Sequence, residues 1–265
     1  MNTRQAIKGK ALVTGASTGI GAIYADRLAK RGHDLILVAR NADQLGALAA
    51  QISESTGRSV EVVVADLSRR EQLLKVEDIV RTDANISMLV NNAGSSKNRP
   101  FAESTADELE EMIALNVVAL TRLSLAAVKG FMKHGSGILV NIGSGVVLMP
   151  EVANEVYGGS KAFALNFTRN IAAQLEPHGI QVQVVLPGAV MTEAWARSGT
   201  DVNLVPEGAM MTAGDLVDAS LTALDQKEVV TFPSLQDVSG WVAMEDARAA
   251  LIPQIFQGKP ATRYA

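Results

Sequence analysis

Seven short runs of branched apolar residues recur along the chain, and all but the last is followed by a longer stretch with helical periodicity. The runs lie at 11–13, 34–39, 60–65, 87–90, 137–142, 181–186 and 229–232, and the helical stretches at 20–31, 42–56, 69–83, 103–133, 155–176 and 213–226. Several runs are apolar throughout, as strands buried on both faces of a parallel sheet must be. The alternation predicts an α/β fold: a doubly wound, mostly parallel seven-stranded sheet with helices on both faces and right-handed crossovers.

No Pro/Gly/Ser-rich linker and no internal repeat divides the 265 residues, so a single domain over 1–265 is expected. Two segments break the alternation. Residues 189–212 are rich in Met, Gly and polar side chains and are long for a connection, which suggests a substrate lid. Residues 234–265 hold a short helical pattern at 241–252 and then a Pro/Gly-containing end, a tail that reads as a strap on a sheet edge or a partner subunit, or as part of the site.

Composition narrows the function classes. With 48% apolar and 20% charged residues the chain can bury a sizeable core. A net charge of -4 without a basic stripe argues against nucleic acid as a partner. There is no cysteine, which removes disulfides, thiol nucleophiles and thiolate metal sites. The three histidines, His33, His134 and His178, are scattered without metal-ligand spacing, so no metal is expected. Arg4, Lys8 and Lys10 precede only a short apolar run, which reads as a strand rather than a signal peptide. The uncharged stretch 135–150 is broken by glycines, an asparagine and serines, so no membrane span is expected there and a cytoplasmic location is the default.

The first run leads into Thr14-Gly15-Ala16-Ser17-Thr18-Gly19-Ile20-Gly21. Three glycines between a strand and a helix let the backbone approach a pyrophosphate, whose charge the N–H groups and helix dipole favour. Arg40 ends the second strand, where an acidic residue would accept from the adenine ribose of NAD. An arginine there accommodates the 2′-phosphate of NADP. Asp66 follows the third strand, and Asn91-Asn92-Ala93-Gly94 ends the fourth. Both lie at strand C-termini, where open α/β sheets bind ligands. Turn capping is an alternative role for Asp66, Asn91 and Asn92.

Tyr157 and Lys161 are four residues apart, on one face of the predicted helix. At ~5 Å and an effective dielectric of ~20, the ammonium would favour a phenolate by about 3 kcal/mol, lowering tyrosine's usual ~10 by roughly 2. Ser144 ends the fifth strand, thirteen positions upstream of Tyr157, and Asn116 sits within a long apolar helix, where a polar side chain must be bonded.

Together these motifs, with Pro187-Gly188 and Thr192 after the sixth strand, stand in the order and spacing of the short-chain dehydrogenase/reductase superfamily. The resemblance is to its single-domain branch and covers nearly the whole chain. It implies a Rossmann-type sheet of strand order 3-2-1-4-5-6-7 and an NAD(P)-dependent oxidoreductase acting on CH–OH groups, with NADP(H) preferred and NAD(H) possible. By the same resemblance Tyr157 would exchange the proton of the reacting oxygen, Lys161 would lower its pKa and hold the nicotinamide ribose, and Ser144 would hydrogen-bond that oxygen. Asn116 would hold a water in the relay. Hydride passes directly between cofactor and substrate, which needs no metal. Gly15, Ser17, Thr18, Gly19, Ile20, Gly21, Arg40, Asp66, Leu67, Asn91, Ala93 and Gly94 map onto the adenosine and phosphate side. Pro187, Gly188, Val190 and Thr192 map near the nicotinamide, with Tyr157 and Lys161. A catalytically silent nucleotide-binding regulator is the alternative, and the intact Asn116, Ser144, Tyr157 and Lys161 set argues against it.

One departure stands inside the motif. Gly158 and Gly159 follow Tyr157 where the family usually carries at least one larger residue, so they permit close packing or leave room beside the tyrosine. Ser95, Ser96, Val146, Met149, Glu151, Met191 and Trp195 form the candidate substrate pocket. They suggest a mostly apolar carbonyl or alcohol substrate. Leu120, Leu123, Ala127, Phe131, Ala164, Phe167 and Ala172 make two helices apolar over more than one face, and a homodimer or homotetramer would cover the excess.

Overall fold

The computed structural model describes residues 9–97, 99–151, 155–193, 195, 198 and 205–264. The body opens with β1 (Lys10–Thr14), α1 (Gly19–Lys30), β2 (Asp34–Ala39), α2 (Ala42–Thr56), β3 (Val60–Val64), α3 (Arg70–Thr82) and β4 (Ile86–Asn91). A continuous helical run follows: α4 (Ala106–Ile113), a π-helical segment (Ala114–Ala119) and α5 (Leu120–His134). Then come β5 (Gly137–Ile142), α6 (Glu155–Leu175), β6 (Ile180–Val185), the two-residue strands β7 (Val190–Met191) and β8 (Met211–Thr212), α7 (Ala213–Asp225) and β9 (Val230–Thr231).

Seven strands pair in the order β3-β2-β1-β4-β5-β6-β9, and each pair is parallel. This is the order expected from the sequence, with β9 as its seventh strand. Side-chain alternation divides the core into two layers. Ala11 and Val13 of β1 and Leu35 and Leu37 of β2 pack with Tyr24 and Leu28 of α1 and with Leu45 of α2. Leu12, Ile36 and Val38 point the other way, toward Val76 of α3 and toward Leu123 and Phe131 of α5. Both layers are closed to water, which is why the strands read as unbroken apolar runs.

The helix caps follow the local sequence. Asn41 accepts from the Gln44 backbone N–H at 3.0 Å and starts α2. At α4, Thr105 and Glu108 form a reciprocal capping box. The helical run Ala106–His134 is long and apolar enough to cross a membrane by length and composition. Of its most apolar window 44% is buried inside the molecule, where α5 packs on β4 and β5.

The N-terminal residues 1–8 lie outside the described set, as does the signal-peptide question they raise. Of the expected lid, the described part has a base not visible in the sequence. β7 and β8 form a parallel ladder pairing Val190 with Met211 and Met191 with Thr212. Thr212 then caps α7 by accepting from the Asp215 N–H at 3.0 Å.

Residues Ser234–Ala265 form a second compact unit. It holds α8 (Ser239–Ile255), with Pro253 inside the helix, and a short 3-10 turn, Thr262–Tyr264. No residue of α8 is buried.

Candidate active site

The glycine turn is built by close approach. Gly15 and Gly19 have φ of 64° and 58°, the left-handed region that glycine tolerates. At Gly21 any Cβ would collide with the Gly15 carbonyl and the Asn92 side chain. Thr18 stands at the N-cap of α1 without a side-chain cap hydrogen bond, and the first turn holds no acidic residue. The helix therefore presents backbone N–H groups and the positive end of its dipole, with no carboxylate to neutralise them.

This turn is sewn to the end of β4. Thr14 Oγ1 accepts from the N–H groups of Asn92 and Ala93, each at 3.0 Å. Asn92 Nδ2 donates to the carbonyls of Thr14 at 2.9 Å and Gly15 at 3.0 Å. Asn91 turns the opposite way. Its amide donates to Ser124 Oγ at 3.0 Å and Asn141 Oδ1 at 2.9 Å, and Asn141 donates to Thr168 Oγ1 at 2.9 Å. The side chain expected to contact a cofactor is thus committed to a buried network joining β4, β5, α5 and α6. The Asp66 side chain makes a local turn, Oδ1 accepting from Ser68 N at 3.0 Å and Ser68 Oγ at 2.7 Å, a role that does not exclude the cofactor contact expected of it. Leu67 beside it is buried, and Arg40 is exposed at the end of β2.

The four expected catalytic residues come together at the C-terminal edge of β4 and β5. Ser144, 8% exposed, hydrogen-bonds the Tyr157 side chain. Lys161 Nζ donates to the Ile142 carbonyl at 2.9 Å and lies 5.6 Å from the centre of the Tyr157 ring. Asn116 is buried in the π-helical segment. Its Oδ1 accepts from Ser95 N at 2.9 Å, and Nδ2 donates to Ser95 O at 2.9 Å and to Ser160 Oγ at 3.0 Å. Both of its amide protons are in use, so this side chain works as a clamp between the β4 loop and α6, and it has no donor left for a relay water. A Cβ on Gly94 would sit 3.3 Å from Asn116 Oδ1 and 3.4 Å from Lys161 Nζ, which places that glycine against the cluster.

The electrostatics differ from the expectation drawn from spacing. Burial pushes the Tyr157 phenol above its ordinary value, opposed by its hydrogen bond with Ser144. Burial also lowers Lys161 from 10.5 to about 8. Spacing gives the distance between two groups and says nothing of the water both have lost. That loss disfavours the charged form of each and is the largest influence on both.

Of the two glycines after Tyr157, Gly159 is on the exposed side of α6. At 100° per residue, Gly159 lies about 200° around α6 from Tyr157, on its outer face. A Cβ there would meet nothing. Gly159 therefore makes no room beside the tyrosine. It shares its stripe with Phe163 and Phe167, whose rings stack at 5.6 Å with 13° between planes.

On the nicotinamide side, Pro187 and Val190 are buried and Gly188 is exposed. Thr192 Cγ2 would lie 3.3 Å from a Cβ on Gly19, so the chain just after β7 reaches the glycine turn. Trp195 Nε1 donates to the Val190 carbonyl at 2.6 Å. Of the pocket candidates, Ser95 is held by Asn116 and Ser96 is half-buried. Val146 donates its N–H to Ser144 Oγ at 3.3 Å, while Met149, Glu151 and Met191 are exposed. Sequence reasoning missed Ser160 and exposed Leu148. Ser160 had a signal, a small hydroxyl beside Lys161 on a helix face otherwise turned to the core. Among the described residues no group of three or more His, Asp or Glu side chains could hold a metal.

Comparison with known proteins agrees with this geometry. The family model for short chain dehydrogenase matches residues 9–203. A short-chain dehydrogenase from Sphingobium yanoikuyae, solved in complex with NADPH, is 46% identical over 97% of this chain and 100% of that one, with a TM-score of 0.93. A bulky-bulky ketone specific alcohol dehydrogenase from Comamonas testosteroni is 39% identical over 97% and 98%, with a TM-score of 0.89. A very-long-chain 3-oxoacyl-CoA reductase of Coccidioides immitis is 36% identical over 66% of this chain, which spans 52% of that protein's length. With its glycine turn, its Tyr157–Lys161 helix and a family match over most of its length, this chain belongs to the short-chain dehydrogenase/reductase superfamily.

Proposed function

We propose that this chain is an NADP(H)-dependent oxidoreductase that interconverts a bulky, mostly apolar ketone and its secondary alcohol, with Tyr157 as the acid/base. The observation that carries this reading is the Tyr157 hydroxyl, hydrogen-bonded to Ser144 with the Lys161 ammonium buried beside it.

A dinucleotide fits the other half of the groove: a turn too tight for any Cβ at Gly21, an α1 N-terminus without acidic residues, and Arg40 exposed where a 2′-phosphate would lie. The nicotinamide group, when bound, supplies the hydride. The protein supplies the proton. Burial holds the Tyr157 phenol protonated at neutral pH, ready to donate to a carbonyl oxygen and, in the reverse direction, to recover the proton. Lys161, with a pKa of about 8, carries its charge at neutral pH and steadies the phenolate as it forms. Ser144 holds the phenol's orientation and offers a second hydrogen bond to the reacting oxygen. NADPH in the Sphingobium relative and bulky ketones for the Comamonas relative support the cofactor and substrate class. The exposed apolar side chains of Leu148, Met149 and Met191 favour the same class.

The test is NADPH oxidation with a panel of aryl alkyl ketones, wild type against Tyr157→Phe. Turnover in the wild type and its loss in the variant, with NADPH still bound, is expected. Binding without turnover in both would leave a nucleotide-binding regulator as the better reading.

We also propose that a second copy covers the outer faces of α4, α5 and α6. Of the sequence-named residues, Leu120, Leu123, Ala127, Phe131, Ala164 and Ala172 are buried within one chain and Phe167 is half-buried. The exposed apolar set is instead Ile113, Val118, Leu125, Met132 and Phe163. The open Gly159 beside Phe163 lets another helix approach closely. A monomeric mass at micromolar concentration would refute this, and Leu125→Lys is expected to shift the mass toward the monomer.

A further inference from the structure

We infer that Ser160 is a positioning residue that fixes Tyr157 for proton transfer, an inference that rests on the oxidoreductase reading above. Tyr157 lies two residues after Glu155, the first described residue of α6. An anchor on the Tyr157 backbone fixes the point from which its phenol reaches the site.

Ser160 supplies that anchor. Its Oγ donates to the Tyr157 carbonyl at 2.7 Å and accepts from Asn116 Nδ2 at 3.0 Å. Asn116 grips the Ser95 backbone with two further bonds of 2.9 Å. The result is a rigid path from the loop after β4, through the π-helical segment, to the backbone that carries the phenol. Ser160 and Asn116 are 4% and 3% exposed, so water cannot readily replace either partner. Ser160 Oγ is bonded to the Tyr157 carbonyl and to Asn116, so it acts through the tyrosine's backbone.

A misplacement of about 1 Å at a reacting group costs up to ~100-fold in rate, whereas ground-state affinity for a ligand held elsewhere is little changed. Ser160→Ala and the near-isosteric Ser160→Cys remove the strong hydroxyl bond pair. Ser160→Thr keeps it, since a helical threonine hydroxyl reaches the carbonyl three or four residues back.

The experiment is steady-state reduction of butyrophenone by NADPH with wild type and the three variants, alongside NADPH binding. Expected are a kcat about 10-fold lower in the Ala and Cys variants, a KM for NADPH within about two-fold of wild type, and a threonine variant that recovers at least half of kcat. Wild-type kcat in the Ala and Cys variants would overturn the inference and leave the oxidoreductase reading intact. So would a threonine variant as slow as alanine, or a parallel loss of NADPH binding, which marks general disruption. A wild type that binds NADPH and reduces no ketone in the panel would overturn both.

Discussion

The two halves of the groove are built on opposite plans. At the glycine turn the Thr14 and Asn92 side chains tie the backbone down from behind, and the N-terminus of α1 faces the groove without a side-chain cap or an acidic residue. At the Tyr157 cluster polar groups are bonded to one another: Ser144 to Tyr157, Asn116 to Ser95 and Ser160, and Lys161 to Ile142. One half is prepared for a charged ligand that brings its own acceptors. The other is prepared for a proton, which needs donors and acceptors already held in place. Binding energy and chemistry are therefore separable by mutation.

The strongest way to break the comparison is Tyr157→Phe. It is expected to lower kcat by about 10²–10⁴-fold while the NADPH dissociation constant stays within about two-fold, read by single-turnover kinetics and fluorescence titration. A matching loss of affinity would mean that the halves are not independent.

Lys161→Met tests what the cluster costs in stability. Lowering Lys161 from 10.5 to about 8 corresponds to roughly 3 kcal/mol for burying its charge. Its folded-state pKa lies below its unfolded one, so the unfolded chain holds more protons between these values and wild-type stability rises from about pH 8 to 10.5. At pH 7 the methionine variant is expected to be inactive and more stable by about 2 kcal/mol, after allowing ~1 for the lost bond to Ile142. That gain shrinks toward pH 10.5. Denaturant melts at pH 7 and pH 10 measure both, and a destabilised variant at pH 7 would refute the argument.

The smallest effect belongs to the other half. Arg40→Ala is expected to lower kcat/KM for NADPH about 10-fold, leave the value for NADH within two-fold, and leave kcat at saturating NADPH unchanged. Equal losses with both cofactors would remove Arg40 from the phosphate site.

How far the sequence reaches depends on what kind of physics sets each feature. Asp34–Ala39 and Gly137–Ile142 stand in the structure at their sequence-read bounds, because unbroken apolar runs have few alternatives to a parallel core. Spacing also brought Ser144, Tyr157 and Lys161 to one strand edge. Three features resisted. Asn91 stands at a strand C-terminus where ligands bind, and its side chain joins the Asn141–Thr168 network, a direction set by strand alternation that position alone does not show. The direction of the Tyr157 shift depends on burial, which the i,i+4 spacing does not carry. The β7–β8 ladder pairs two residues with two, too few for any propensity to announce, and it forms only when positions 190–191 and 211–212 meet.

The ion pairs between α1 and α7 carry a consequence for biosynthesis. Arg27 binds Asp218 across 191 positions, and Arg31 binds Asp225 across 194. Tyr24 and Leu28, fully buried in the finished molecule, lie on the same α1 helix that α7 packs against. At ~5–20 residues per second, α1 leaves the ribosome roughly 10–40 s before the helix that covers it. Throughout that interval the face of α1 that packs on α7 has no partner yet made. The glycine turn and its helix are translated well before the segment that encloses them, and their safe passage depends on how quickly that segment follows.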